Sequence, residues 1–126
     1  MRLTAFTEYS LRVLVYLARY PDRFVTIKDI AAAEGISANH LMKVAQHLGA
    51  AGDVLTLRGP RGGLRLGRPA EAIRVGDVVR RTEPNMGPAD DHVVGRMIGE
   101  AQAAFMAVLD GLSVADLAVQ PRAMTR

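Results

Sequence analysis

The sequence predicts a mainly α-helical fold in which two helices joined by a tight turn precede a small β-hairpin and a long C-terminal helix. Three observations support this prediction. Apolar residues recur with helical spacing through the first 50 positions, a glycine-rich stretch at residues 58–63 separates two short apolar runs, and helical spacing returns over about four turns near the C-terminus. The length, 126 residues, is enough for one domain with an appended helix.

The first helix is predicted at residues 6–19. Tyr20-Pro21 ends it, because proline cannot continue a helix. Leu14 is expected at the edge of the apolar face of this helix. The residues that share the face are Phe6, Tyr9, Val13, Tyr16 and Leu17.

Two helices then follow across a tight turn. Thr26 begins a capping-box pattern that starts a short helix at residues 27–34, and Gly35 fits the left-handed position after it. Ser37 can cap a longer helix at residues 38–50. Two helices in this arrangement form a helix-turn-helix. The inner stripe of the longer helix is expected to be Leu41, Val44, Ala45 and Leu48.

A β-hairpin is predicted directly after the helix-turn-helix. Residues 54–57 and 64–66 would be its strands, with Thr56 and Arg65 on the outer face. A helix-turn-helix followed by a hairpin is the order of elements in a winged helix, so the predicted fold class is a mainly α winged helix-turn-helix with a β-hairpin wing. The inner face of the wing is expected to carry Leu55, Leu57, Leu64 and Leu66.

The second part of the chain predicts further helices. Residues 75–82 form a short helix, and a loop rich in Gly, Pro and Asp follows at residues 85–91. From residue 94 the apolar residues keep helical spacing until Gly111, and Ser113 is typical of another helix cap. The apolar stripe of the long helix is wide for a monomer of this size. Packing against a second copy is therefore predicted, and folding back across the first helix is the alternative.

Composition and charge restrict the possible functions. The chain has no cysteine, which excludes disulfides, thiolate metal sites and cysteine nucleophiles. It has no apolar run of about 18 residues and no secretory-signal pattern, so a cytoplasmic protein without a membrane span is expected. Up to Glu83 there are 13 basic and 8 acidic residues, whereas the remainder has 3 and 5. The basic first part suits an anionic partner, although arginine-rich codon usage explains the excess equally well.

Catalytic motifs are absent from the sequence, and an enzyme is not predicted. The stretch RGPRGG lacks the Lys-Ser/Thr pair of a phosphate-binding loop, and neither GxSxG nor HExxH occurs. His40 and His47 are seven residues apart on one helix, which separates them by about 10.5 Å along its axis. That separation is too large for a shared metal ion without further ligands.

The helix after Ser37 is the candidate recognition helix. Its N-terminal part carries polar side chains off the apolar stripe, and this is the part of such a helix that enters the major groove of DNA. Asn39 and His40 are the candidates for base edges, and Asn pairs with adenine. Lys43 suits a phosphate, as does the helix N-terminus at Ser37. The alternative is a solvated helix face.

The hairpin tip is the second candidate DNA contact. Glycines allow close approach of the backbone, and arginines are favoured in the electronegative minor groove. Arg58 and Arg61 are the leading candidates, with Arg65 and Arg68 as flanking phosphate contacts. The alternative is an ordinary glycine turn with solubilising charges.

Four stretches resemble one known family over nearly the whole chain except residues 88–95. They are MRLTAFTEYSLRVLVYLA, ISANHLMKVAQHL, RGPRGGLRLGRPAEAIRVGDVVR and EAQAAFMAVLDGLSVADL. They resemble the NsrR and IscR family of bacterial winged-helix regulators, and most closely its nitric-oxide-sensitive NsrR branch. The resemblance implies a homodimer on a pseudo-palindromic operator in double-stranded DNA, with the helix after Ser37 in the major groove and the wing in the minor groove.

The sequence departs from this family at the expected sensor loop. The resemblance implies three cysteines before the long helix that hold an iron–sulfur cluster, with a further carboxylate ligand at Glu8 in the NsrR branch. The loop PADDHVVG is short and has no cysteine, and one carboxylate is a poor cluster site. No cofactor is therefore expected, and Glu8 is interpreted as a surface residue unless a residual site exists.

Together these inferences predict a homodimeric, sequence-specific DNA-binding transcription regulator of repressor type. The predicted organisation is a DNA-binding domain at residues 1–84, a shortened sensor loop at 85–92, and a dimerisation helix with a C-terminal segment at 93–126. Two other functions stay open: a protein-interaction module that does not bind DNA, and a metal or small-molecule sensor that uses Glu8 and His92.

Overall fold

The computed structural model describes residues 2–86 and 90–120. Within these residues the chain has the expected fold class, a mainly helical protein with a two-stranded antiparallel hairpin. A short 3-10 helix at Ala70–Ala72 follows Pro69. The helices are α1 (Ala5–Ala18), α2 (Ile27–Glu34), α3 (Ala38–Ala50), α4 (Val75–Thr82), α5 (Val93–Asp110) and α6 (Val114–Ala118), and the strands are β1 (Val54–Leu57) and β2 (Gly63–Leu66).

Short polar side chains begin several of these helices, as their spacing predicts. The hydroxyls of Thr26, Ser37 and Ser113 each accept a hydrogen bond from the backbone N–H three residues later. Gly35 has a φ of 67° after α2, the left-handed conformation expected in the turn of the helix-turn-helix. The turn that separates α2 from α3 is therefore fixed by local chemistry at both of its ends.

The buried face of α1 differs from the expected one. Leu14 and Leu17 are fully buried together with the small polar residues Thr7 and Ser10, whereas the aromatic rings lie at the margin of the core and are partly buried. Leu14 is thus at the centre of the interface and not at its edge. The reason is close packing, because α3 and α4 both approach α1 and leave room only for short side chains at its first turns. The partly buried rings are Phe6, Tyr9 and Tyr16.

The inner face of the hairpin also differs from the prediction. The strand register pairs Leu55 with Arg65 and Leu57 with Gly63, so both leucines lie on the outer face with Arg65. They are 54% and 47% exposed. Val54 and Leu64 point inward and are buried. Alternation along a strand defines two faces but does not say which one is buried, and here the register places Thr56 opposite Leu64 on the inward side.

Val25 attaches the hairpin to the body of the protein. Its N–H donates to the Leu64 carbonyl oxygen at 2.8 Å, and it accepts from the Leu64 N–H at 2.7 Å. This pairing requires glycine at Gly63, where φ is 145° and a Cβ would lie 2.5 Å from the Val25 carbonyl oxygen. The wing is therefore a two-stranded hairpin that an isolated antiparallel bridge joins to the linker between α1 and α2.

A second apolar cluster joins α4, α5 and α6. Val75 and Val79 of α4 are buried against Met106 of α5. Arg80 and Asp110 form a bidentate ion pair across the same interface, with N–O distances of 2.7 and 2.6 Å. The α6 helix returns to pack on α1. The C-terminal part of the described chain is thus connected to the helix-turn-helix through α1 and α4.

The expected sensor loop at residues 85–92 lies only partly within the described residues, because positions 87–89 fall outside them. Residues 121–126 of the expected C-terminal segment also fall outside. The division of the chain at residues 84 and 92 stays a prediction.

Candidate nucleic-acid interface

The α3 helix presents one polar, exposed face. The stripe predicted to be inward is buried, with every member at most 7% exposed. At 100° per residue the longer exposed side chains fall within an arc of about 100° on the opposite side of the helix. The α3 sequence contains no acidic residue, so nothing on this face repels a polyanion. These longer side chains belong to Asn39, Met42, Lys43 and Gln46, and the small residues Ala38, Gly49 and Ala50 are exposed as well.

Asn39 and Lys43 lie on this face as the sequence predicts, and their side chains make no hydrogen bond or ion pair within the described part of the chain. Their amide and ammonium groups are therefore free to meet a ligand. Ser37 is exposed, but its hydroxyl accepts from the His40 N–H at 3.2 Å. It acts as the helix cap, as expected, and leaves the other N–H groups of the first turn oriented outward.

His40 lies on the flank of α3 rather than on the exposed face. Its ring is half-buried and packs edge-to-face on Tyr9 of α1, with ring centroids 5.0 Å apart. The ring of His47 packs edge-to-face on Phe6 of α1, with ring centroids 5.4 Å apart. The Nε2 atom of His47 is buried without a hydrogen-bond partner within the described residues. Both histidines share this flank because they are seven residues apart. Their main contact is with α1, and the base-edge role predicted for His40 stays a prediction.

The hairpin tip is a tight turn that exposes two arginines. Gly62 N–H donates to the Gly59 carbonyl oxygen at 2.9 Å, which closes a four-residue turn with Pro60 at its second position, where proline is favoured. Arg58 and Arg61 are exposed, and neither side chain makes an ion pair or hydrogen bond within the described residues. The tip therefore carries two unneutralised positive charges on a short, well-defined turn.

Arg65 has a structural contact that the sequence did not indicate. Its guanidinium lies 5.4 Å from the centre of the Phe24 ring, and its Nη2 donates to the Pro21 carbonyl oxygen at 3.3 Å. The side chain is therefore held against the linker between α1 and α2. Any contact of Arg65 with DNA would have to be made by the part of the guanidinium that stays exposed.

Arg68 and Asp53 hold the base of the wing. Arg68 donates to the Ala51 carbonyl oxygen at 3.0 Å and to that of Gly52 at 3.4 Å, at the end of α3. Its Nε lies 3.6 Å from Asp53, whose carboxylate also accepts a hydrogen bond from Arg81 of α4. Asp53 is 3% exposed. Sequence reasoning missed Asp53, although an acidic residue between a helix-ending glycine and an apolar strand was a possible signal.

The two residues considered for a sensor site lie in ordinary structural positions. Glu8 is exposed on α1 and forms an ion pair with Arg12 at 3.4 Å. His92 caps α5, because its Nδ1 accepts from the Val94 N–H at 3.1 Å. Across residues 2–86 and 90–120, no three His, Cys, Asp or Glu side chains come together as metal ligands within one chain.

The described helices include none that is long and apolar enough to cross a membrane. A helix-turn-helix with a free polar face on its second helix, followed by a wing with a basic tip, defines the class of winged-helix DNA-binding proteins.

Comparison with known proteins gives the family. Residues 3–120 match the family model of Rrf2, described as an iron-dependent transcriptional regulator, and the chain belongs to this family. It is a transcriptional regulator and not an enzyme. The expected resemblance to regulators of the IscR kind is confirmed at this level, whereas a nearest relationship to NsrR stays a prediction.

Solved structures agree with this assignment. The CymR global cysteine regulator of B. subtilis is 27% identical, with a TM-score of 0.83 over 94% of this chain and 96% of that one. IscR of T. potens is 28% identical, with a TM-score of 0.83 over 93% and 85%. The oxidised form of CymR from Staphylococcus aureus is 26% identical, with a TM-score of 0.83 over 98% and 100%.

Proposed function

We propose that this protein is a cytoplasmic, homodimeric repressor of the NsrR type that binds a pseudo-palindromic operator without a conventional iron–sulfur cluster. The observation that carries the proposal is the polar face of α3, whose free Asn39 and Lys43 lie opposite a fully buried stripe. A helix that is held by one face and free on the other is suited to enter a major groove. Arg58 and Arg61 supply a second contact from the wing tip.

Charge supports DNA as the partner. The candidate contacts on α3 and on the wing tip are basic or neutral, and Arg58, Arg61 and Lys43 have no carboxylate partner within the described residues. Their charges are therefore available to neutralise phosphates and to release counterions. Arg65 and Arg68 contribute indirectly, because they fix the wing relative to α3 and to the preceding linker.

The proposed dimer uses α5. Within its own chain this helix fully buries Met106 and partly buries Phe105 and Leu109, whereas its other large apolar side chains form an exposed stripe. A stripe of this extent is typical of a helix that packs on a partner, and a second copy places two α3 helices on one duplex. The large exposed residues are Val93, Val94, Met97, Ile98 and Val108.

The iron dependence in the family description does not fit the residues of this chain. Iron–sulfur clusters are held chiefly by cysteine thiolates, and the sequence contains none. Glu8 is the only candidate ligand that the family resemblance indicates, and it is paired with Arg12. We therefore propose that DNA binding by this protein does not depend on a cluster. The NsrR-type assignment rests on the motif resemblance in α1, in α3, in the wing with α4, and in α5 with α6.

The test is selection of binding sites by the full-length protein from a random pool of duplex DNA. A selected pseudo-palindrome is expected, and its affinity should fall steeply with salt. The Arg58→Ala/Arg61→Ala double variant should bind more weakly. Its plot of log affinity against log salt should be less steep by about 3.6 if all four tip arginines of a dimer contact phosphate.

Arg96→Ala is the matched control, because it removes an exposed arginine from the side of α5 away from the apolar stripe. It should leave both affinity and slope unchanged. Failure to select any DNA, with no salt-dependent binding, would favour the protein-interaction module instead. A double variant that binds as tightly as the parent would remove the wing from the mechanism.

Metal analysis tests the cluster proposal separately. Protein purified without oxygen should contain no stoichiometric iron or sulfide, and a chelator should leave operator affinity unchanged. A coloured preparation that contains iron and sulfide and loses DNA binding on chelation would contradict the proposal.

A further inference from the structure

Met42 is the exception on the exposed face of α3. The other large apolar residues of this helix are buried, whereas Met42 is 57% exposed and does not pack against the hydrophobic core. It precedes Lys43 and lies one turn after Asn39, so its thioether is at one edge of the polar face and, along the helix axis, between Asn39 and Gln46. An apolar side chain exposed beside the polar, acid-free residues of this face is suited to contact an apolar group on the ligand that the face binds.

The major groove offers one such group. Each thymine projects its C5 methyl there, and apolar side chains recognise thymine by contact with that methyl. A methionine side chain is long, flexible and polarisable, so it can follow the methyl over a range of base-step geometries. The neighbouring Asn39 is suited to adenine, which makes an A/T-containing element the consistent target of this face.

We propose that Met42 contributes to sequence specificity by packing on the C5 methyl group of a thymine in each half-site. The inference rests on the proposed function, since it requires α3 to enter the major groove. It assigns base recognition to a residue that makes no hydrogen bond and carries no charge. Met42 therefore affects which sequence is bound, whereas Lys43 affects the strength of binding to all sequences.

The experiment replaces thymine by deoxyuridine in the selected operator, one symmetric pair of positions at a time. Deoxyuridine keeps the base pair and removes only the methyl group. Burial of one methyl changes affinity by about fourfold, so the contacted pair should cost the parent protein about sixteenfold over two half-sites. Deoxyuridine at the other thymine positions should leave the affinity nearly unchanged.

Two substitutions identify the side chain responsible. Met42→Gln keeps the length of the side chain but is polar, and it should bind the thymine and deoxyuridine operators equally. Met42→Leu keeps an apolar group and should restore most of the discrimination. Lys43→Ala is the control, because it should weaken both operators by the same factor and leave their ratio unchanged.

The outcomes separate the two proposals. If no duplex DNA is selected, the proposed function is wrong and this inference falls with it. If an operator is selected but deoxyuridine is tolerated at every position, Met42 does not read a methyl group. The same conclusion follows if Met42→Gln retains the full penalty at the sensitive position.

Discussion

The ring of His40 packs edge-to-face on the ring of Tyr9, with centroids 5.0 Å apart and planes at 90°. This contact joins the candidate recognition helix α3 to α1, and the Phe6–His47 pair repeats it two turns further along α3. The orientation of the polar face of α3 is therefore set by two aromatic contacts on its flank, in addition to the buried aliphatic stripe.

His40→Ala is expected to lower stability. An aromatic pair of this geometry contributes about 0.5–1.5 kcal/mol beyond the area that it buries, so urea denaturation should show a loss of at least that size. Asn39→Ala, its neighbour on the exposed face, should change the free energy of unfolding by less than about 0.5 kcal/mol. It should instead weaken operator binding. Equal stability of the two variants would contradict a packing role for His40.

Asp53→Asn is expected to destabilise the junction between wing and body. The substitution leaves Arg68 and Arg81 without their shared carboxylate, but both guanidinium groups are partly exposed and can regain water. We therefore expect a loss of about 2 kcal/mol, close to that of a charged hydrogen bond and below that of a fully buried pair. Asp77→Asn removes a carboxylate from a surface pair with Arg80 and should cost at most about 0.5 kcal/mol. Similar losses of stability in both variants would contradict the structural role that is predicted for Asp53 at the base of the wing.

Gly76→Ala is expected to disturb the contact between α4 and α5. A Cβ at this position would overlap the carboxylate of Asp110, and overpacking of this kind costs about 1–3 kcal/mol. Gly49→Ala is the control, because its nearest atom would be at 3.9 Å and an alanine inside α3 should stabilise the helix by up to about 1 kcal/mol. Combining Gly76→Ala with Asp110→Ala should recover part of the loss. A Gly76→Ala variant that unfolds at the same urea concentration as the parent would contradict the proposed overlap.

Glu83 should make the free energy of unfolding depend on pH. Burial acts to raise its pKa, but the hydrogen bonds from Thr7 and Thr4 outweigh burial and hold the pKa below its usual value. A group with a lowered folded-state pKa stabilises the protein above its unfolded-state pKa, and this stabilisation is lost as the pH falls through the folded-state pKa. Stability should therefore decrease from about pH 5 downward.

The Glu83→Gln variant tests this directly. Its thermal midpoint should be lower than that of the parent at pH 7, and the difference should shrink as the pH falls toward 3. Asp110 should contribute a loss of stability in the same direction in both proteins, because its hydrogen bonds with Arg80 lower its pKa as well. A difference that stays constant over this range would show that the Glu83 charge contributes nothing.

Local sequence chemistry was sufficient to predict most of the fold. The caps at Thr26 and Ser37 and the turn at Gly35 depend on residues within four positions, so α2, α3 and the turn between them follow from the sequence. The identity of the buried residues of the wing could not be predicted from the sequence in this way. Apolar residues occupy three of the four positions in β1, and only the pairing with β2 decides which of them are buried.

The candidate site was predictable in part for the same reason. Asn39, Lys43, Arg58 and Arg61 are exposed, and their side chains make no hydrogen bond or ion pair within the described residues. Arg65 looks the same in the sequence, but Phe24 lies 41 positions away and meets it only after the chain folds. The positions of charged residues in the sequence therefore indicate the candidate DNA-binding surface. Long-range contacts decide which of these charged side chains have no partner within the described chain.

The pairing of Val25 with Leu64 and the Asp53 ion pairs have a consequence for the kinetics of DNA recognition. Both hold the wing in place before any duplex arrives, so encounter with DNA requires no folding of a segment, only the settling of a few long side chains. Little conformational entropy is then lost on association. The protein can therefore search along DNA as fast as it diffuses and hops. It then distinguishes one site from another by its rate of dissociation.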